Sequence, residues 1–105
     1  MIQFFSNGLK FLSATSVSSS STSSGIVYTY TSNANELVII NGRVTSTGFG
    51  NGFIINLDGI NVSGTVFSQG GSFVIANGAQ FKIETVGVPY QASWNLVINR
   101  FTIQG

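Results

Sequence analysis

Residues 72–86, with the sequence SFVIANGAQFKIETV, decide the fold class of this chain. Asn77-Gly78 in the middle is a turn signal, because both residue types readily adopt the positive φ values that tight hairpins require. After the turn, Phe81, Ile83 and Thr85 alternate with Lys, Glu and Val. This period of two puts the three side chains on one face of an extended chain and predicts a strand with one exposed face.

Strand and turn patterns of this kind recur along residues 26–105. Val, Ile, Thr and Phe, which strands prefer, are frequent there, and no convincing helical pattern occurs. The predicted strands are residues 26–31, 36–46, 52–57, 60–68, 72–76, 80–87 and 94–103. Turn signals separate them at residues 33–35, 48–52, 58–59, 70–71, 77–78 and 87–89. Several strands of this length at such spacing predict an all-β fold, either a sandwich or a barrel.

The first 25 residues differ in composition from the rest. Residues 1–12 have apolar side chains on both sides of an Asn-Gly turn signal, and they predict a short hairpin or a docking arm. Residues 13–25, SATSVSSSSTSSG, have low complexity and predict a flexible linker, although a Ser/Thr tract can also pair as an exposed strand. The expected organisation is an N-terminal arm and Ser-rich linker (1–25) followed by a β-sandwich domain (26–105).

Charged residues make up 7% of the chain, against about 25% in ordinary soluble domains. The net charge is +1 and the four basic residues are scattered, so we expect neither nucleic acid nor a membrane as a partner. The longest aliphatic run, residues 37–40, is far shorter than a spanning helix, and no signal peptide is expected. So little charge suits a permanently assembled protein, but a Ser/Thr-rich β-protein without that role has the same composition.

Two of the predicted strands are apolar on both faces. They include residues 37–40 and residues 53–55. A strand that is apolar on both faces is expected to be covered on both. In a two-layer domain the second cover most simply comes from another subunit, so these strands favour a homo-oligomer.

The residue types of common catalytic sites are missing or isolated. The chain has no His and no Cys, so it lacks the commonest general base and all thiolate ligands. Its three carboxylates are separated: Glu36 opens a strand, Asp58 is expected in a turn, and Glu84 in an exposed ion pair with Lys82. Calcium could bind through oxygens of Asp58, the neighbouring Asn side chains and backbone carbonyls, but one carboxylate in that loop is too few to predict a site. We therefore expect no enzyme activity, no metal and no cofactor.

Three aromatic residues are candidates for recognition. Phe49 lies in the glycine-rich segment 48–52, which predicts either a mobile connection or an exposed recognition loop. Tyr90 and Trp94 flank residues 91–93, and aromatic rings beside amides are what sugar-binding sites use. The alternative interpretation of Trp94 is that it anchors the last strand in the core.

Three stretches of the chain resemble the trimeric, tumour-necrosis-factor-like jelly-roll domains of bacteriophage virions. Residues 34–42 (ANELVIING) are similar to an early strand of those domains, residues 74–83 (VIANGAQFKI) to a penultimate-strand turn, and residues 94–99 (WNLVIN) to the final strand. The resemblance implies a small antiparallel β-sandwich, jelly-roll-like, that assembles as a trimer. Such folds occur in capsid decoration (cement) proteins, head fibres and tail-fibre tips.

These observations lead us to expect a viral structural protein on the capsid exterior of a virion. As a decoration or cement protein it would stabilise a phage shell by assembling there with copies of itself and with the major capsid protein or another virion protein. Phe4, Phe5, Phe11 and Leu12 would be the shell-docking or inter-subunit residues. The alternatives are a receptor-binding fibre-tip module that recognises host glycans through the three aromatic residues above, or a free carbohydrate-binding β-sandwich.

Overall fold

The computed structural model describes residues 8–47, 52–62, 68–86 and 91–103. Nearly all of this part of the chain is β-strand, so the all-β prediction is confirmed. The strands are β1 (Leu9–Ser21), β2 (Gly25–Thr31), β3 (Glu36–Thr47), β4 (Phe53–Leu57), β5 (Ile60–Asn61), β6 (Ser68–Ala76), β7 (Gln80–Thr85) and β8 (Gln91–Ile103).

The strands form two antiparallel four-stranded sheets that pack as a sandwich. The strand order is β1-β8-β3-β6 in sheet A and β2-β7-β4-β5 in sheet B. β1 pairs with β8, β2 with β7, β3 with β6 and β4 with β5, so the second half of the chain pairs with the first half in reverse order. This connectivity is that of an eight-stranded jelly roll. The expected small antiparallel sandwich, jelly-roll-like, is therefore confirmed.

The hydrophobic core lies between the inner faces of the two sheets. In β7 the alternate residues Phe81, Ile83 and Thr85 are buried, as the period-two pattern predicts. Aromatic rings connect the sheets across this core, with the ring centroids of Phe73 in sheet A and Phe81 in sheet B 5.5 Å apart. The buried apolar residues are Val38, Ile40, Val44, Phe53, Ile55, Phe73, Ile75, Phe81, Ile83, Ala92, Trp94, Leu96 and Ile98.

Three predicted turns have the backbone geometry that their sequences favour. Asn35, Asp58 and Asn77 have φ values of 60°, 50° and 53°. Asp58 and the following glycine close a two-residue hairpin between β4 and β5, in which Leu57 pairs with Ile60. Asx-Gly chemistry therefore predicted these changes of direction correctly.

The Asn77-Gly78 turn differs from a simple hairpin, because β6 belongs to sheet A and β7 to sheet B. The turn carries the chain from one sheet to the other. Buried Ser32 fixes it from the β2 side: the Ser32 Oγ accepts a hydrogen bond from the Gly78 N–H (3.0 Å) and donates one to the Ala79 carbonyl (3.2 Å). The predicted turn at residues 77–78 is therefore confirmed, and the structure adds that it connects two sheets.

The Ser-rich tract is a strand over most of its length. β1 runs from Leu9 to Ser21 and pairs with β8, with a β-bulge at Leu12. The flexible-linker prediction for residues 13–25 is wrong as far as Ser21, and the alternative of an exposed strand is confirmed there. β1 is an edge strand of sheet A. Its backbone hydrogen bonds to β8 hold the Ser-rich tract in an extended conformation, which the composition of the tract alone does not predict.

Two further boundaries bear on the predictions. The predicted break at Gly70-Gly71 is wrong, because β6 continues through both glycines and Gly70 pairs with Arg43 of β3. Of the predicted strand 60–68, Ile60–Asn61 forms β5. The predictions that fall on residues 1–7, 48–51, 63–67 and 87–90 lie outside the described residues.

Gly42 allows β3 to approach β8 closely in the middle of sheet A. Its φ is 148°, in the region that residues with a side chain rarely adopt. A Cβ at this position would lie 2.0 Å from the backbone oxygen of Asn95 and 2.9 Å from the Cα of Leu96. The ladder between these two central strands therefore requires glycine at residue 42.

Candidate interaction surface

An apolar patch crosses the outer face of sheet A. Residues that oppose each other in an antiparallel ladder point to the same face. The register therefore places Phe11, Phe101 and Leu37 side by side, on the face opposite to buried Val38. We call this surface the outer apolar patch, and its members are Leu9, Phe11, Leu37, Ile39, Val74, Val97, Phe101 and Ile103.

Much of the outer apolar patch is exposed. Phe11 is 56% exposed and Val74 52%, although both are large apolar side chains. Phe11 packs edge-on against Phe101, with ring centroids 5.6 Å apart. Leu37 and Ile39 are half-buried among their cross-strand neighbours. Among the described residues, the outward side of β3 is thus only partly covered. The second cover that the apolar pattern of residues 37–40 predicts does not come from this part of the chain.

The outer apolar patch contains no charged residue. Lys10, Glu36 and Arg100 of sheet A have the register of the inner face, because the first two oppose Thr102 and Arg100 opposes buried Val38. Arg43 lies on the outer face, beyond the patch, where its Nη1 donates a hydrogen bond to the Ser68 Oγ (2.7 Å). A partner that docks on the patch therefore has no charge to desolvate there.

The rest of the outer face of sheet A is polar and its side chains bond to one another. The Ser72 Oγ donates to the Asn41 Oδ1 (2.5 Å), and Ser18 donates to the Asn95 side chain across the β1–β8 ladder. A shallow depression at this end of the face is lined by Arg43, Thr45, Ser93, Trp94 and Asn95. The outer face is thus divided into an apolar half and a half of hydroxyls and amides.

The structure describes two of the four predicted docking residues. Phe4 and Phe5 lie outside the described residues. Phe11 belongs to the outer apolar patch, and Leu12 is the bulge residue beside it, 42% exposed. Sequence analysis did not find the remainder of the patch, because its members are distant in sequence and meet only through strand register.

The predicted recognition residues are not brought together in the described part of the structure. Phe49 and Tyr90 fall outside it. Trp94 is 4% exposed, and its ring centroid lies 5.8 Å from that of Tyr28 of sheet B. Tyr28 is itself partly buried in this contact, and this burial is the main cause that raises the pKa of its hydroxyl. The alternative interpretation of Trp94 is the one observed, because a ring inside the core cannot stack on a sugar.

An ion pair joins Glu36 and Arg100 at one end of sheet A. The Arg100 Nε and Nη2 donate to the two carboxylate oxygens of Glu36, at 3.1 and 2.5 Å. Hydrogen bonds from Arg100 hold the pKa of Glu36 below its usual range. Sequence analysis missed this pair, and the Lys82–Glu84 ion pair that it expected is wrong: the two residues form none in the structure.

The described residues show no constellation for common catalytic or metal chemistry. No group of three His, Cys, Asp or Glu side chains able to hold a metal occurs among them. Near Asp58, the Asn56 side chain is already engaged, since its Nδ2 donates to the Asn61 Oδ1 (2.8 Å) and its Oδ1 accepts the Gly59 N–H (2.8 Å). These amides stabilise the β4–β5 turn. None of the described segments forms a helix with the length and apolarity to cross a membrane.

Comparison with known proteins leaves the chain without an assigned family. No protein-family model matches it, and neither a curated protein nor a solved structure matches it. The functional inference therefore comes from the chain's own residues and fold.

Proposed function

We propose that this chain is a viral structural protein that decorates a phage shell and stabilises it by assembling as an oligomer on the capsid exterior. The observation that carries the proposal is the outer apolar patch. It is exposed and uncharged, on a chain in which only 7% of residues are charged. The largest apolar patch on a protein surface is often functional, and we take this one as a site of protein contact.

The fold supports the proposal without specifying it. Eight-stranded double-sheet jelly rolls recur in viral capsid proteins and in lectins. Because one fold serves many functions, the choice between these classes must come from the surface. An apolar patch suits a shell protein, whereas Trp94, the ring expected to stack on a sugar, is not exposed.

The size of the outer apolar patch indicates how such a protein would act. Four strands about 4.8 Å apart and six residues of about 3.4 Å each give roughly 400 Å². This is about half of what each partner contributes to a standard stable interface. One copy alone would bind weakly, but many copies spaced over a shell, each bridging neighbouring subunits, would stiffen it through the sum of their contacts.

The experiment that tests the proposal is to look for the protein in purified virions of the phage that encodes it. Mass spectrometry and antibody-gold labelling of intact particles should find it in many copies on the outside of the shell. Its absence from particles, or a location only at the tail tip, contradicts the proposal.

A double variant within the outer apolar patch, compared with a control variant outside it, tests whether the patch is the contact. Phe11→Ser combined with Val74→Ser should leave the fold intact, because both side chains are more than half exposed, and should reduce binding to undecorated shells at least tenfold. The matched control is Ile26→Ser, which removes an equally exposed (56%) apolar side chain from sheet B and should bind as the wild type does. Equal loss in both proteins would show that the patch is not the contact.

Glycan recognition is the second candidate, and the polar half of the outer face favours it. The shallow depression lined by Arg43, Thr45, Ser93 and Asn95 presents the hydroxyl, amide and guanidinium groups that bond sugar hydroxyls. A glycan array probed with the purified protein tests this. Binding that Asn95→Ala abolishes, with folding intact, would assign the chain to the fibre-tip class instead of the shell class.

A further inference from the structure

β1, with 13 residues, is the longest edge strand in the part of the chain that the structure describes. β1 has β8 as its ladder partner on one side, and its other side faces away from sheet A. Within the described part of the chain, residues 13–21 have no backbone hydrogen bonds to other segments besides those of the ladder with β8. A strand edge of this kind presents a row of unpaired N–H and C=O groups, which is a template for another strand.

Residues 13–21 carry none of the usual protections of an edge strand. Proteins block edges with charges, Pro, bulges or short strands. This segment has no charge and no Pro, and the β-bulge at Leu12 lies before it. Its side chains are small and seven of the nine are Ser or Thr, so they leave room for a neighbouring strand. Two of the other sheet edges are protected, because β2 is bulged at Val27 and β5 has only two residues. The remaining edge, β6, is also uncharged, but it is shorter than β1 and contains two adjacent glycines, Gly70 and Gly71.

We propose that residues 13–21 of β1 pair antiparallel with the same segment of a second copy. The two-fold axis passes between the Val17 residues of the two copies. Val17 then faces Val17 of the second copy, and Ser13 faces Ser21. The two copies of sheet A then form one continuous eight-stranded sheet. The proposal concerns the free protein, and it holds whether or not the chain decorates a capsid.

The charge pattern favours the antiparallel direction and a second copy as the occupant. Lys10 is the one charge on β1. Parallel pairing of two copies would put the two Lys10 side chains together, whereas antiparallel pairing about Val17 puts them at opposite ends. An uncharged segment has no electrostatic basis for selecting a charged partner, and it is complementary to itself.

The position of Val17 supports the chosen register. Ala14 and Val17 are the apolar residues of the segment, and Val17 is partly buried against the core on the inner face. Facing its own copy, Val17 gains an apolar cross-strand neighbour, which is the pairing that stabilises strands. Such a contact is isologous and closes as a dimer. It therefore differs from the three-fold assembly that the resemblance to phage domains implies.

Single cysteines test both the contact and its register, because the chain has none of its own. Opposed residues of antiparallel strands have Cα atoms within the range that a disulfide spans. Under mild oxidation at micromolar concentration, Val17→Cys should form a covalent dimer at least tenfold faster than Val74→Cys. Val74 is the matched control, since it lies on the other edge strand of sheet A and is 52% exposed, so random collision would favour it.

Light scattering gives an independent measurement of the same contact. The wild type should show twice the chain mass of 11.1 kDa at high concentration. Thr15→Lys with Ser19→Lys should be monomeric, because the proposed register puts each new lysine opposite another. The control variant, Thr29→Lys with Ala34→Lys, adds the same charge at exposed positions outside β1 and should remain dimeric. A monomeric wild type, equal crosslinking at 17 and 74, or a dimer that tolerates the β1 lysines would overturn the proposal.

Discussion

Gly42 is the residue at which the backbone of sheet A tolerates no side chain. Its φ of 148° and the 2.0 Å separation between a virtual Cβ and the Asn95 oxygen act together. The obstacle is backbone in a central strand, which cannot rotate aside as a flexible side chain can.

Gly42→Ala should therefore destabilise the fold by about 3 kcal/mol or more, through backbone strain and separation of β3 from β8. Chemical denaturation followed by circular dichroism measures the free energy of unfolding. Gly70→Ala is the control, because a Cβ there meets only the end of the Arg43 side chain, and it should cost less than about 1 kcal/mol. Similar losses for both variants would contradict the close-approach explanation.

Glu36 connects protonation to folding. Its pKa is lowered in the folded state, first by the hydrogen bonds from Arg100. A lowered folded pKa means that the pair stabilises the fold above the ordinary carboxylate value of 4.5, and that this contribution is lost as the pH falls through the folded pKa.

Glu36→Gln should consequently be less stable than the wild type at neutral pH, and the difference between the two should shrink as the pH falls below 4.5. Thermal unfolding measured from pH 7 down to pH 3 reveals the convergence. Glu84→Gln serves as the control for exchanging a carboxylate for an amide, because Glu84 has no ion pair among the described residues. Parallel curves for Glu36→Gln and the wild type would exclude this role for the ion pair.

At the scale of elements, local turn chemistry was predictable and strand pairing was not. Asn35, Asp58 and Asn77 each precede or open a turn because Asx residues tolerate positive φ, and that property is visible in one residue and its neighbour. Whether the strand after a turn joins the same sheet as the strand before it depends on pairing with strands that are distant in sequence. The Asn77-Gly78 turn was thus placed correctly, but the sequence did not show that its flanking strands belong to different sheets.

The candidate surface was predictable to the same limited extent. Phe11 and Leu12 stand out locally as apolar residues before a polar tract, so they were found. Phe101, Leu37 and Val74 join Phe11 only because β8, β3 and β6 lie beside β1 in that order. Nothing in the composition of these strands shows which of their faces remains open.

β1 illustrates how a partner strand overrides composition. Its Ser-rich sequence has weak preferences of its own, and the ladder with β8 fixes it. Amide hydrogen exchange should therefore show slow exchange for the amides of residues 13–21 that bond to β8. The amides of residues 22–24, between β1 and β2, should exchange rapidly. Uniformly rapid exchange from residue 13 to residue 24 would restore the linker interpretation.

The whole molecule has few charges, and its proposed contact with a shell has none on its own side. Raising the salt concentration from about 0.1 to 1 M shortens the screening length from about 10 to 3 Å and weakens contacts that depend on exposed charges. Binding to shells through the outer apolar patch should survive this change, and sulfate should strengthen it. Sedimentation of shells with bound protein across a salt series measures this. Release by salt would indicate an electrostatic contact elsewhere on the molecule.

The position of β8 between β1 and β3 has a consequence for how the chain is made. β1 leaves the ribosome before β8, and among the described strands β8 is its one partner. Sheet A therefore remains incomplete until β8 has been translated. During that interval β1 is without its partner strand, and we expect its serine-rich, weakly apolar composition to lower the tendency of the nascent chain to aggregate.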